Sequence, residues 1–106
     1  MQFTVHRDPG STLTETVLRL EGELDLIASS SLGEAMGEAF QSGAQRLVLD
    51  LGGLTFIDSS GLRTVLRGRE DSAEKGVAFL LRRVPSQVHR VFDITGMTTE
   101  LEIEPD

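Results

Sequence analysis

Two short, nearly unbroken apolar runs, Leu47-Val48-Leu49-Asp50-Leu51 and Val77-Ala78-Phe79-Leu80-Leu81, constrain this chain most. Runs of that length and composition predict strands covered on both faces rather than alternating ones with a wet side. Between them Leu62, Val65, Leu66 and Ala73 recur at helical spacing, and Gly76 supplies the stop. Strand, helix, strand in that order implies a crossover connection. Upstream, Leu32, Ala35, Met36, Ala39 and Phe40 mark another amphipathic helix over residues 29–42, with Ser29-Ser30-Ser31 as its start and Gly43 after its end.

The chain opens on Phe3 and Val5, which alternate with polar neighbours. Asp8-Pro9-Gly10-Ser11 then reads as a hairpin turn into a second strand carrying Leu13, Val17, Leu18 and Leu20. Pro85 opens a short third helix whose Val88, Val91 and Phe92 face inward until Gly96, and Leu101 and Ile103 suit a last short edge strand. The acidic stretch 102–106 is a solubilising end. The order ββαβαβαβ predicts a single α/β domain over residues 1–106, a mixed sheet of about five strands with helices packed on it.

Composition narrows the function. The 106 residues carry 17 acidic and 10 basic side chains, a formal net charge of -7, which argues against nucleic acid as a partner. There is no tryptophan or tyrosine to stack bases, and no cysteine for disulfides, thiolate metal sites or thiol chemistry. No apolar run approaches membrane-spanning length, and the start at Met1 lacks the pattern of a signal peptide, so a cytoplasmic protein without membrane association is expected.

Chemistry would concentrate in Leu54-Thr55-Phe56-Ile57-Asp58-Ser59-Ser60-Gly61-Leu62, where an apolar strand runs into a helix start that offers two hydroxyls. Cap preference explains one such side chain but not Asp58, Ser59 and Ser60 in succession. A nucleophile elbow is not met, because the positions two away from Ser59 are Ile57 and Gly61, and His6 and His89 read as surface or cap side chains. A receiver-like magnesium site around Asp50, Asp25 and Asp58 lacks the paired acids and late lysine it requires; the single lysine, Lys75, falls in the last turn of the second helix. Gly52-Gly53 has no Gly-Lys-Ser/Thr after it and reads as a tight turn. No catalytic residue, metal or cofactor is therefore expected.

The same nonapeptide, 54–62, resembles the signature of the STAS domain of bacterial anti-sigma factor antagonists. Leu20-Glu21-Gly22-Glu23-Leu24-Asp25 is similar to that family's G-E-L-D turn, and Val91-Phe92-Asp93-Ile94-Thr95-Gly96-Met97 to its last-helix segment, in the family's order. After Asp25 the chain departs from the pattern, with Ala28-Ser29-Ser30 in place of a Thr-Ala-Pro-like start. The resemblance implies phosphorylation at Ser59, with Ser60 as neighbour and cap. It implies a partner surface including Asp25, Asp58, Ser60 and Gly61, to which Arg63 and Arg67, four apart on one helix face, are added as contacts. The implied partners are an anti-sigma factor with serine-kinase activity, bound only by the unphosphorylated form so that a sigma factor is released, and a metal-dependent serine phosphatase. A monomer or weak dimer fits that role, whereas a scaffold subunit of a stress-signalling assembly or a cytoplasmic regulator of a transporter are the other roles the STAS domain takes.

Overall fold

The computed structural model describes residues 2–97 and 100–104. Its elements are β1 (Phe3–Arg7), β2 (Glu15–Leu24), α1 (Leu26–Gln41), β3 (Arg46–Ile57), α2 (Ser59–Lys75), β4 (Ala78–Arg82) and α3 (Ser86–Ile94). The sheet runs in the order β1-β2-β3-β4, antiparallel between β1 and β2 and parallel thereafter. The expected fifth strand is reduced, among the described residues, to a single bridge from Ile103 to Leu81, and Leu101 is buried. Of the acidic end, residues 105 and 106 lie outside the described residues.

The crossovers β2-α1-β3 and β3-α2-β4 step in the same direction across the sheet, and crossovers of one hand then lay both helices on the same face. That face holds the main core, in which Leu32 and Met36 of α1, Leu62 and Val65 of α2, and Val88 and Phe92 of α3 meet Leu18, Leu49 and Leu81. The alternate strand residues Val17, Val48 and Leu80 form a separate small cluster that includes no helical side chain. So β3 is covered on both sides, as its apolar run predicts, but by different means. On the helix-free face Val48 packs with Val17 and Leu80, and the ion pairs of Glu15 with Arg46 (2.8 Å) and Asp50 with Arg83 (2.6 Å) stand on either side of that cluster along β3.

Several local expectations are corrected. Leu13 precedes β2 and is exposed, because the hairpin loop extends to Thr14 and Thr12 caps its end by accepting from the Glu15 amide. The inward residue late in α2 is Ser72, not Ala73, since Gly61, Leu62, Val65, Gly68 and Ser72 keep one stripe. Gly76 ends α2 as expected, in the left-handed region at φ 70°, with the Val77 amide closing back on the Ser72 carbonyl at 2.8 Å.

The Gly52-Gly53 pair is not a turn. β3 continues through it for 12 residues against the 10 of β2, and the excess is taken up at two register shifts, one opposite Arg19 to Glu21 and one opposite Gly22 to Glu23. A Cβ on Gly53 would stand 2.9 Å from the Leu20 carbonyl oxygen, and one on Gly52 would stand 3.1 Å from the Arg83 guanidinium carbon. Glycine is required there by close approach. In the space left by Gly52, buried Asp50 accepts from Nε and Nη2 of Arg83 (3.0 and 2.6 Å) and from the Gly52 amide (3.0 Å). Arg83 adopts φ 52°, a left-handed conformation rare for a side-chain-bearing residue. The pair thus ties the chain just beyond β4 to the middle of β3.

Burial pushes the Asp50 carboxyl up, but the Arg83 hydrogen bond, the Gly52 amide and the charges of Arg83 and Arg19 outweigh it and hold its pKa below the ordinary value. A carboxyl whose pKa is lower folded than unfolded stabilises the fold fully above the unfolded value, and that contribution disappears as pH falls through the folded one. Urea unfolding of the wild type should therefore lose stability as the pH drops below about 4, and Asp50→Asn should remove part of that acid dependence. Equal acid slopes for the two proteins would contradict the assignment.

Candidate functional site

β2 and β3 stay paired up to Leu24 opposite Ile57, so the next residues, Asp25 and Asp58, leave the sheet side by side. Both are extended (φ -113° and -108°) and each caps the helix that follows. The Asp25 Oδ1 accepts from the Ala28 amide at 2.9 Å, and the Asp58 Oδ1 from the Gly61 amide at 2.9 Å. The Asp58 amide in turn donates to the Leu24 carbonyl at 3.2 Å. Two helix N-termini are thereby presented at one end of the sheet, with adjacent caps.

This geometry corrects two readings. The first helix starts at Leu26 rather than at the serine run, because Asp25 provides the cap; Ser29 lies one turn inside and its hydroxyl donates to the Asp25 carbonyl at 2.8 Å. The G-E-L-D stretch is no turn but the end of β2 followed by that cap. Likewise the cap of α2 is Asp58 and not Ser60, whose carbonyl accepts from Thr64 Oγ1 at 3.0 Å.

Ser59 is the first residue of α2 and is exposed, and its hydroxyl makes no hydrogen bond among the described residues. Ser60 beside it is half-buried. Gly61 is buried: a Cβ there would collide with the Leu24 carbonyl oxygen and stand 2.8 Å from Leu24 Cγ. Its part is to let α2 approach the end of β2, which fixes where Ser59 emerges. Arg63 and Arg67 are exposed and without an ion-pair partner among the described residues. Arg63 stands one turn from Ser59 on the same face, and Arg67 borders a groove of about 340 Å³ between α1 and α2 with Gly33, Gly37, Thr64 and Asp71.

Asp50 stands mid-strand with Arg83, not with the two capping carboxylates. His6 lies 3.9 Å from Glu21 and His89 3.1 Å from Asp93, both on the surface, as the sequence suggested. Sequence reasoning missed Leu26, Ile27 and Phe56, three exposed apolar side chains around the caps. Their signal was legible, since Leu26 and Ile27 precede the buried stripe of Ala28, Leu32, Met36 and Ala39. Among the described residues no helix is long and apolar enough to cross a membrane.

Comparison with known proteins agrees with this architecture. Residues 9–103 match the family model described as "Mlab, STAS domain". The chain is 37% identical over 82 residues to the anti-sigma F factor antagonist of Paenibacillus polymyxa, covering 76% of this chain and 70% of that one. Its fold superposes on the crystal structure of an anti-sigma factor antagonist from Mycobacterium paratuberculosis with a TM-score of 0.85, at 21% identity and over 99% and 87% of the two chains. It also superposes on the unphosphorylated form of the anti-sigma factor antagonist SpoIIAA, with a TM-score of 0.75, at 22% identity and over 97% and 89%. The chain belongs to the STAS-domain anti-sigma factor antagonist family.

The cap geometry carries a stability cost when removed. Asp58→Ala should lower the unfolding free energy by about 1 kcal/mol (range about 0.5–2), whereas Ser59→Ala, at an exposed and unbonded position, should stay within about 0.5 kcal/mol of wild type. Urea titration of the two variants checks the difference; an equal or larger loss at Ser59 would mean that its hydroxyl, and not the Asp58 carboxylate, caps α2.

Proposed function

We propose that this domain is an anti-sigma factor antagonist that works in the cytoplasm by partner switching, with Ser59 as the switch. The unphosphorylated form binds an anti-sigma factor that is itself a serine kinase and so releases a sigma factor; the kinase phosphorylates Ser59, and binding is lost. A metal-dependent serine phosphatase restores the hydroxyl. The domain is substrate and ligand in this cycle, and the kinase brings the nucleotide and its magnesium. The name of the Paenibacillus polymyxa relative supports the anti-sigma factor as partner. The single observation that carries the switch is the exposed, unbonded hydroxyl of Ser59 at the first position of α2.

Physical chemistry supports modification there without damage to the fold. A phosphate adds roughly 1.5 to 2 negative charges, and a helix N-terminus favours an anion through its free amides and its dipole. Outside the fold the effect is opposite. The dianion would stand beside Asp58 and project into whatever surface is docked, and burying it there without a counter-ion costs several kcal/mol, enough to change affinity by orders of magnitude. Asp25, Asp58, Ser60 and Arg63 would form the contact surface near Ser59, with Arg67 extending it two turns along α2, and Gly61 acts beneath it by seating α2.

The test is a titration against the anti-sigma factor kinase of the same genome, identified by phosphorylation of this chain. Ser59→Ala should bind at least as tightly as wild type and accept no phosphate, while Ser59→Glu should bind at least tenfold more weakly. Equal affinities for wild type, Ser59→Ala and Ser59→Glu would refute the switch.

A further inference from the structure

The two edges of the sheet are finished differently. Beyond β4 the Leu81 amide donates to the Glu102 carbonyl (2.9 Å) and the Leu81 carbonyl accepts from the Glu104 amide (2.8 Å), so that edge is covered. β1 forms the other edge and has no outer neighbour among the described residues. Antiparallel pairing turns alternate residues of β1 toward β2. The Gln2 carbonyl accepts from the Glu23 amide (2.9 Å) and the Asp8 amide donates to the Val17 carbonyl (2.8 Å), so Gln2, Thr4, His6 and Asp8 bond inward and the backbone groups of Phe3, Val5 and Arg7 point outward. Proline, lysine and bulges, which commonly protect an open edge, are absent from Phe3–Arg7.

The helix layer is open along the same edge. Two clefts follow one another between β1 and α1, one of about 390 Å³ walled by Phe3, Glu23, Asp25 and Ile27, the other of about 400 Å³ walled by Val5, Arg7, Leu13, Ala35 and Glu38. The groove they form differs in charge from end to end. Glu23 and Asp25 at the Phe3 end have no ion-pair partner among the described residues, while at the opposite end the Arg7 guanidinium donates to the Thr12 carbonyl (3.2 Å) and meets no carboxylate there. Each end also exposes one large apolar side chain, Ile27 (84%) beside Phe3 and Leu13 (95%) beside Arg7. An occupant must bring a strand edge, a cation to the Phe3 end and apolar surface to both ends. A second copy turned through half a rotation brings all of these.

We propose that two copies of this chain pair antiparallel through β1 about a two-fold axis at Val5, joining their four-stranded sheets into one. Phe3, Val5 and Arg7 exchange backbone bonds with Arg7, Val5 and Phe3 of the second copy, so every outward group finds a partner. Arg7 of the second copy enters the acidic end beside Glu23 and Asp25, and Leu13 of the second copy comes to the end that exposes Ile27. Residues opposite each other share a face, so both helix layers lie on the same side of the joined sheet. Because α1 lies over β1 and β2, the two α1 helices stand two strand spacings apart, about 9.6 Å, which falls within the range of about 8–10 Å at which helices pack. The α1 residues that line the groove, Ile27, Ser31, Ala35, Glu38 and Ser42, are centred near Ala35, and Ala35 shares a cleft with Val5. Strand and helix therefore place the axis at the same point. The inference is separate from the switch at Ser59 and needs no other protein.

The experiment uses the full chain alone, by sedimentation equilibrium from micromolar to millimolar concentration and by backbone amide hydrogen exchange. The mass should rise from 11.5 kDa toward twice that value. The Val5 and Arg7 amides should exchange freely in dilute protein and at least tenfold more slowly in concentrated protein, while the Thr4 and His6 amides, bonded to β2, are protected in both. Val5→Pro removes an amide that β1 does not spend on β2 and should weaken association at least tenfold. Arg7→Glu, which sets a third acid beside Glu23 and Asp25 of the second copy, should weaken it as much with a melting temperature like that of wild type. Should Val5→Pro fail to fold, Arg7→Glu and the exchange pattern decide. A wild type that keeps the monomer mass throughout would overturn the proposal, whether its Val5 and Arg7 amides are open or covered by another segment of the chain. A dimer in which those amides still exchange freely, or one that Arg7→Glu leaves unchanged, would overturn it equally.

Discussion

Everything at the working end of this domain depends on the parallel pairing of β2 with β3 being kept as far as Leu24 and Ile57. Because both strands end at one level, both helices begin there, and the two aspartates that cap them become neighbours. A slip of one residue would turn the apolar set of β3 away from the core and carry Asp58 and Ser59 with it. The register is defended on both sides. Leu24 and Ile57 are buried, and Gly61 permits an approach of α2 to Leu24 that no larger residue would allow. Farther down the sheet, the glycine pair and the Asp50–Arg83 ion pair stand at the first of the two register shifts, and the second falls at Thr55, between Leu54 and Phe56.

Rigidity and accessibility are thus divided between adjacent side chains. Asp58 holds the backbone of the first turn, Gly61 seats it, and Ser59 between them is left with no structural duty. That division is what a reversible modification site needs: under the proposed switch, charge added to Ser59 would meet a helix terminus that tolerates it, while a docked partner would meet the charge directly. The one-sided placement of the helices complements this. All three pack on one face of the sheet, and α1 and α2 begin where β2 and β3 end.

Much of this was legible in the residues. The apolar runs at 47–51 and 77–81, the stripe of α1, the first part of that of α2 and the stop at Gly76 follow from periodicity and chirality alone, and those rules assign β3, α2 and β4 in the order the structure has. Where reading failed, long-range contact had overridden local preference. Gly52-Gly53 has turn chemistry, yet sits in a strand because Glu21 and Arg83 crowd it from elements distant in sequence. The serine run 29–31 has cap chemistry, yet Asp25 precedes it at the strand end and caps first. The pairing of Asp50 with Arg83 across 33 positions has no local signature at all. Ser59 itself was visible from the redundancy of Asp58, Ser59 and Ser60, but which of the three caps, which packs and which is free is decided only by the approach of α2 to β2.

The central claim is that a phosphate on Ser59 alters a surface and not a fold. Backbone amide NMR of the protein before and after phosphorylation by its kinase tests this most directly. The account predicts modification of Ser59 alone, with shift changes confined to the two helix starts, about residues 25–31 and 58–64. Changes spread through β1, β4 and α3, or a phosphate carried by Ser60, would contradict it.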